Sequence, residues 1–326
     1  MTGSGPTEVE HEVDAPGPGG VVLVVGDVID DVVVRPLATT QPDTDTPAVI
    51  TRVPGGAGAN QAVWLASCGA DVRFVGCVGR ADVDRHTRLL EEAGVDARLA
   101  TDPEVSTGRI VVIVDPSGRR TMYSDRGANL RLCEEHLDDE RFADLVDGVG
   151  LVLVSGYSLC HQRPRSVALD LKDRAREAGI PVAVDPASVG FIREVGTSSF
   201  LGWLDGVSIV LPNLAEGQLL TMATGVDDVV DRLLDRFAVV AVTLGPDGVV
   251  VADRDGVRAT IPAATTEVVD TTGAGDAFAG GFLAAWLRGE GLEAAGRAGV
   301  EAAARVVAGP GGRFGAGPRP DGELTP

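Results

Sequence analysis

Long apolar runs are missing from this chain, and no segment reaches the length needed to span a bilayer. The N-terminus has no basic stretch followed by an apolar one, so no secretory signal is expected. Cysteine is scarce. Cys68, Cys77, Cys133 and Cys160 show no Cys-x-x-Cys spacing and read as reduced thiols. His11, His86, His136 and His161 form no metal-ligand pattern. Positive charge is also short, with 28 Lys and Arg against 48 Asp and Glu, a formal net charge of −20. So acidic a surface repels nucleic acid and anionic membrane, and neither is an expected partner. The cytoplasm is the expected location. An anionic ligand must then be held by local features: amides, helix N-termini or a metal ion. A Gly-x-x-x-x-Gly-Lys-Ser/Thr phosphate loop does not occur, and Gly56-Ala57-Gly58 lacks both the third glycine of a dinucleotide fingerprint and a strong strand directly before it.

What is present is Val, Ala and Gly, in short Val-rich runs that alternate with Ala-rich stretches. This texture favours a parallel sheet covered by helices. Val21–Val25 reads as a buried strand, 72–78, 151–154, 182–184, 209–211 and 239–243 as further strands, and 164–178, 274–288 and 292–308 as helices. Residues 107–126 place two β-rich runs around Asp115-Pro116-Ser117-Gly118, a hairpin outside the βα series. The expected fold is a doubly wound α/β domain over 20–312 with a mostly parallel sheet and a small β lid from about 32–53 and 107–125. Tails at 1–19 and 313–326, rich in Gly and Pro, are expected to be flexible.

The segment richest in chemistry is Asp270-Thr271-Thr272-Gly273-Ala274-Gly275-Asp276-Ala277-Phe278, a glycine-rich loop opening a helix. Small residues let a ligand approach the backbone closely, and free amides at a helix N-terminus attract an anion. A carboxylate in that first turn can take a hydroxyl proton while the amides steady a phosphoryl group. Read alone, the segment is also an ordinary helix start. Asn213-Leu214-Ala215-Glu216 reads equally as a helix cap with a first-turn acid or as hard oxygen ligands for Mg²⁺. Thr243-Leu244-Gly245-Pro246-Asp247-Gly248 ends a strand in turn residues, where ligands of α/β folds bind.

The 270–278 segment closely resembles the second signature of the ribokinase-like (PfkB) carbohydrate kinases. Gly55-Gly56-Ala57-Gly58-Ala59-Asn60-Gln61-Ala62 resembles their first signature, nearest to that of ribokinase. The likeness runs from about residue 21 to about 312. It implies ATP-dependent phosphorylation of a sugar hydroxyl, with Asp276 as base and Gly273, Ala274 and Gly275 as anion hole. Asp31 would be the sugar-binding aspartate, with Asp30 a neighbouring competitor, and Gly55, Gly56 and Asn60 would contact sugar hydroxyls. Asn213 and Glu216 would organise Mg²⁺ through water, Thr243, Gly245 and Gly248 would border the nucleotide, and Asp270 and Thr272 would help hold a monovalent cation such as K⁺. Lid edges in the family often pair between subunits, so a homodimer through the lid is implied.

The chain departs from ribokinase at Ser155-Gly156-Tyr157-Ser158, where a glutamate is expected shortly after the central strand. That removes one sugar contact and puts ribose in doubt as the substrate. Tyr157 either meets a different substrate or fills the core. Arg109 and Arg126, flanking the hairpin, either meet a substrate phosphate or protect a sheet edge. A nucleoside kinase of the same fold is the competing reading, with the ribokinase-like first signature against it. A catalytically idle sugar- or nucleotide-binding protein is a third, with the intact Gly-Ala-Gly-Asp run against it.

Overall fold

The computed structural model describes residues 19–115, 119–136, 139–309 and 311–312. Residues 1–18 and 313–326, expected as flexible tails, and Pro116, Ser117 and Gly118 of the expected hairpin turn lie outside the described residues. The chain opens with β1 (Val21–Val25), β2 (Ile29–Pro36), β3 (Ala48–Gly55), α1 (Ala57–Ser67), β4 (Asp71–Gly79), α2 (Val83–Glu92) and β5 (Val95–Asp102). It continues through β6 (Gly108–Val114), β7 (Arg120–Asp125), α3 (Asp139–Val146), β8 (Val149–Ser155), α4 (Gln162–Glu177) and β9 (Val182–Asp185). Then come α5 (Val189–Val195), α6 (Thr197–Trp203), β10 (Ile209–Val210), α7 (Leu214–Thr221), α8 (Val226–Leu234) and β11 (Val239–Thr243). The last elements are β12 (Val249–Asp253), β13 (Arg258–Ile261), α9 (Ala274–Leu287) and α10 (Leu292–Val307).

Nine strands form one sheet in the order β13-β12-β11-β10-β9-β8-β1-β4-β5. Strands β5 to β11 in that order run parallel, and β12 and β13 add an antiparallel edge. Helices cover both faces, which is why β1 is a continuous Val/Leu run rather than an alternating one. Val22 and Val24 pack in the core on the side of α1 and α9, while Leu23 and Val25 pack in the core on the side of α4 and α8. From β1 the chain goes outward to β4 and β5, then returns to β8 on the other flank of β1. That reversal opens a crevice at the carboxyl ends of the central strands, where open α/β sheets bind ligands.

A second sheet, β3-β2-β6-β7, stands apart from the first. Its register puts Asp31, Val33, Ile110, Val112, Met122 and Arg120 on one face, because cross-strand partners and alternate residues share a side. The opposite face carries Val32, Val34, Val111 and Ile113, with Ile50 and Tyr123 exposed at its flanks. The strands start earlier and end later than the pattern predicts, at Ile29 and Gly55, because two aspartates take strand positions. Asp30 is fully buried there. Both its oxygens lie 2.6 Å from Arg85 Nη2, Arg52 also pairs with it, and His86 stands 3.6 Å away. This cluster ties the base of the second sheet to α2.

The structure differs from the sequence reading in other places. Strand β3 runs directly into Gly56, where no strong strand was expected. Strand β5 was not anticipated, because its charged residues mask the pattern: Asp96 pairs with Arg98 at 2.8 Å and Arg73 at 3.2 Å at the sheet edge. The short helices α3, α5 and α6 were likewise not anticipated.

Candidate active site

Helix α9 begins at Ala274, capped by Gly273 in the left-handed region at φ 76°. A Cβ on Gly273 would lie 2.6 Å from the Gly312 Cα, so both the turn and the packing require glycine. Gly275 is different, with nothing within 4 Å of where its Cβ would stand. Its missing side chain keeps the cleft open. Ala274 N–H donates to Thr271 O at 3.3 Å, and the first helical bond is Ala277 N–H to Gly273 O at 2.8 Å. The amides of the first turn therefore have no acceptor within the helix and point their positive end at the cleft. Asp276 sits in the same turn and accepts a hydrogen bond from Asn60 Nδ2 at 3.0 Å.

Gly273, Ala274, Gly275 and Asp276 line a cleft of about 250 Å³ together with Asn213, Glu216, Thr243 and Thr271. Asp185 and Tyr157 complete the polar part of its wall, with Ala187 beside them. Helix α7 carries both features expected of its start. Asn213 Oδ1 accepts Glu216 N–H and Glu216 Oε2 accepts Asn213 N–H, each at 3.0 Å, a capping box that orients the Glu216 carboxylate. Burial and the nearby Asp185 carboxylate push Glu216 up to about 7. Burial likewise pushes Asp185 up to about 6, against hydrogen bonds from Ala187 N–H at 3.1 Å and Gln61 Nε2 at 2.6 Å. Ala187 has φ 69°, a left-handed conformation unusual for alanine, on the cleft wall.

The remaining expected residues are divided. Gly55 ends β3 against the Asp31 carboxylate, leaving no room for a Cβ, and Gly56 caps α1 at φ 95°. Asp31 lies on the same face of the second sheet as Arg120, outside the residues that line the cleft. Asp30 is consumed by its buried ion pairs. Gly245 and Gly248 lie in the turn between β11 and β12, off the cleft wall. Gly248, at φ 97°, is needed because a Cβ would run into Ile261 O. Asp270 and Thr272 sit beside Arg120, whose Nη2 is 2.5 Å from Asp270 Oδ1. Arg126 is no free cation either: its Nη1 lies 3.0 Å from Asp27 Oδ2 and its guanidinium stacks 4.3 Å from the Tyr157 ring centroid. Ser155, near the expected ribokinase glutamate, is fully buried, and a Cβ at Gly156 would lie 2.5 Å from the carbonyls of Asp185 and Pro186.

Asp185 was not singled out from the sequence, although the signal existed: an acid at the carboxyl end of a central parallel strand, followed by proline. Thr271 and Gln61 lay inside quoted motifs without roles.

An amide-lined helix start, a carboxylate in its first turn and a second carboxylate pair across one cleft are the parts of an ATP-dependent kinase that phosphorylates an alcohol. Comparison with known proteins agrees. The family model described as "pfkB family carbohydrate kinase" matches residues 21–317. The chain is 31% identical over 273 residues to an ATP-dependent ribose-1-phosphate kinase of Halopiger xanaduensis, covering 82% of this chain and 84% of that one. It is 30% identical over 276 residues to fructokinase-1 of Oryza sativa subsp. japonica, covering 82% and 83%. An adenosine kinase structure from Sinorhizobium meliloti superposes with a TM-score of 0.80 at 26% identity, over 90% of this chain and 96% of that one. The chain belongs to the pfkB family of carbohydrate kinases, whose members phosphorylate sugars or nucleosides with ATP. No described helix is long and apolar enough to cross a membrane.

Proposed function

We propose that this kinase transfers the ATP γ-phosphoryl group to a sugar hydroxyl, with Asp276 accepting the hydroxyl proton. The observation that carries this reading is the position of Asp276, in the first turn of α9, hydrogen-bonded to Asn60 and in one cleft with Gly273, Ala274 and Gly275. The amides of that turn steady the phosphoryl charge as it develops. Asn60 holds one oxygen of the base, so its role extends from substrate contact to orienting the base. The fructokinase and the ribose-1-phosphate kinase named above act on sugars and the superposed structure is an adenosine kinase, so the choice of a sugar rests on the ribokinase-like first signature together with those two sugar kinases. The test is an ADP-release screen over pentoses, hexoses, ketoses, sugar phosphates and nucleosides with Mg²⁺, with and without K⁺. A sugar should be turned over best. Turnover of nucleosides alone would move the chain to the competing reading, and ATP binding without any turnover would make it an idle binder.

Glu216, Asp185 and Asn213 suit Mg²⁺. The two carboxylates are desolvated together, and among the described residues no Lys or Arg pairs with either, so a hard divalent cation supplies the missing charge. Mg²⁺ bound there would neutralise phosphate charge. The raised carboxyls give a pH signature. Between the unfolded value of 4.5 and about 7, the folded protein keeps a proton on Glu216 that the unfolded chain has lost. Metal-free stability is therefore undiminished below that window and falls as pH rises through it. Mg²⁺ needs the ionised form and recovers the loss. At saturating Mg²⁺ the melting midpoint should rise by roughly 5–10 °C at about pH 8 and by roughly 1 °C at about pH 5. Equal shifts at both pH values, or an undiminished shift in Glu216→Gln, would remove the metal from this pair.

A further inference from the structure

Asp270 and Thr272 are the residues that the family resemblance assigns to a monovalent cation, and their surroundings do not fit one. Asp270 Oδ1 accepts Thr272 N–H at 2.7 Å and Oδ2 accepts Gly311 N–H at 3.2 Å. Arg120 brings the positive charge. Its Nη2 stands 2.5 Å from Asp270 Oδ1, and its Nη1 meets the Thr272 hydroxyl. Among the described residues, the groups bonded to Asp270 are thus N–H donors, whereas an alkali cation needs a shell of oxygens. The pair is largely withdrawn from solvent, with side chains 29% and 12% exposed. Burial alone would raise the Asp270 carboxyl, yet the hydrogen bonds from Thr272, Arg120 and Gly311 outweigh it and hold it below the usual range.

Arg120 is far from this loop in sequence. It opens β7, the outer strand of the second sheet, and lies on the same face as Asp31. The loop it grips leads directly into the left-handed Gly273, which packs on Gly312. Gly312 in turn accepts a hydrogen bond from Trp64 Nε1 at 3.0 Å. One guanidinium therefore bonds two side chains of the turn that sets the direction of the first amides of α9.

We propose that Arg120 is a positioning residue that takes the place of the monovalent cation, tying the outer strand of the second sheet to the 270–273 loop and holding the amides of Gly273–Gly275 in register with Asp276. This rests on the kinase reading above. It follows that the enzyme needs no added alkali cation, and that the second sheet and the anion hole become ordered together.

The test compares wild type with Arg120→Ala and Arg120→Lys, in KCl and in tetramethylammonium chloride, using the sugar found in the screen. Wild-type kcat should agree in the two salts within about twofold. Arg120→Ala should lose about ten- to hundredfold in kcat, the scale of a charge-assisted pair removed from a partly desolvated site. Arg120→Lys should keep more of it, and millimolar guanidinium should restore part of the Ala variant's rate. In ligand-free protein, hydrogen exchange should accelerate in Arg120→Ala both at β7 and at 270–275. Several-fold activation of wild type by K⁺ over tetramethylammonium, or unchanged exchange in Arg120→Ala, would overturn the proposal. The exchange measurement needs no turnover, so it still reads the clamp if no sugar is accepted. A failed clamp in an active enzyme leaves the kinase reading intact.

Discussion

Replacing Asp276 with asparagine should lower kcat by roughly 10²–10⁴, the contribution of a positioned general base. The substitution is close to isosteric and keeps an oxygen for the Asn60 Nδ2 bond, so the start of α9 keeps its shape. What it removes is the capacity to accept a proton. A sugar hydroxyl then has to attack while still carrying its proton, or lose it to water. The amides of Gly273–Gly275 and the carboxylates Asp185 and Glu216 are untouched, so ATP affinity should stay within a few-fold of wild type. The loss belongs to kcat. Single-turnover measurement of ADP release at saturating ATP and sugar checks it, with a melting curve to show the variant folded. A near wild-type rate from Asp276→Asn would falsify the assignment.

Much of this arrangement was legible in the sequence, and the legible parts share a physical reason. Continuous Val runs mark strands buried on both faces, and Val21–Val25 and Val239–Thr243 appear with the expected bounds. Glycine-rich helix starts mark places where backbone must meet backbone or ligand, and Gly273 and Gly56 both adopt positive φ. What stayed hidden depends on partners distant in sequence. Asp30 and Asp31 are adjacent and identical in type. Only three-dimensional neighbours separate them, one enclosed by Arg52, Arg85 and His86, the other set against Gly55 on the opposite face. Arg120 reads as a charge near a hairpin turn until the 270–272 loop is placed beside it. The place of Asp185 at a strand end was legible, but the burial that raises its carboxyl, and its part in raising Glu216, appear only once the two share a cleft.

Gly58→Val should be the most damaging single change to the scaffold that carries the site. Gly58 is the second residue of α1 and presses on the end of β1. A Cβ there would lie 2.8 Å from Gly26 C and 2.9 Å from Asp27 N, and closer still to Gly26 Cα. All three are backbone atoms, so no side-chain rotation relieves the overlap, and α1 must move. Two hydrogen bonds fix it where it is: Gly58 N–H to Asp27 Oδ1 and Ala59 N–H to Asp27 O, both 3.1 Å. Overpacking costs about 1–3 kcal/mol and each lost bond about 1 kcal/mol, a large part of the roughly 5–15 kcal/mol that holds a domain together. A drop of roughly 10 °C in melting midpoint is expected, with Gly58→Ala intermediate. Activity should fall further than stability. Two residues along α1, Asn60 carries the amide that holds Asp276, and α9 abuts α1 so closely that a Cβ on Gly280 would stand 2.6 Å from Trp64 Cβ. Any shift of α1 therefore reaches the base through both contacts. If Gly58→Val melted within a degree or two of wild type and kept its kcat, α1 would be free to slide, and the close approach at Gly26 would have no part in holding Asn60 against Asp276.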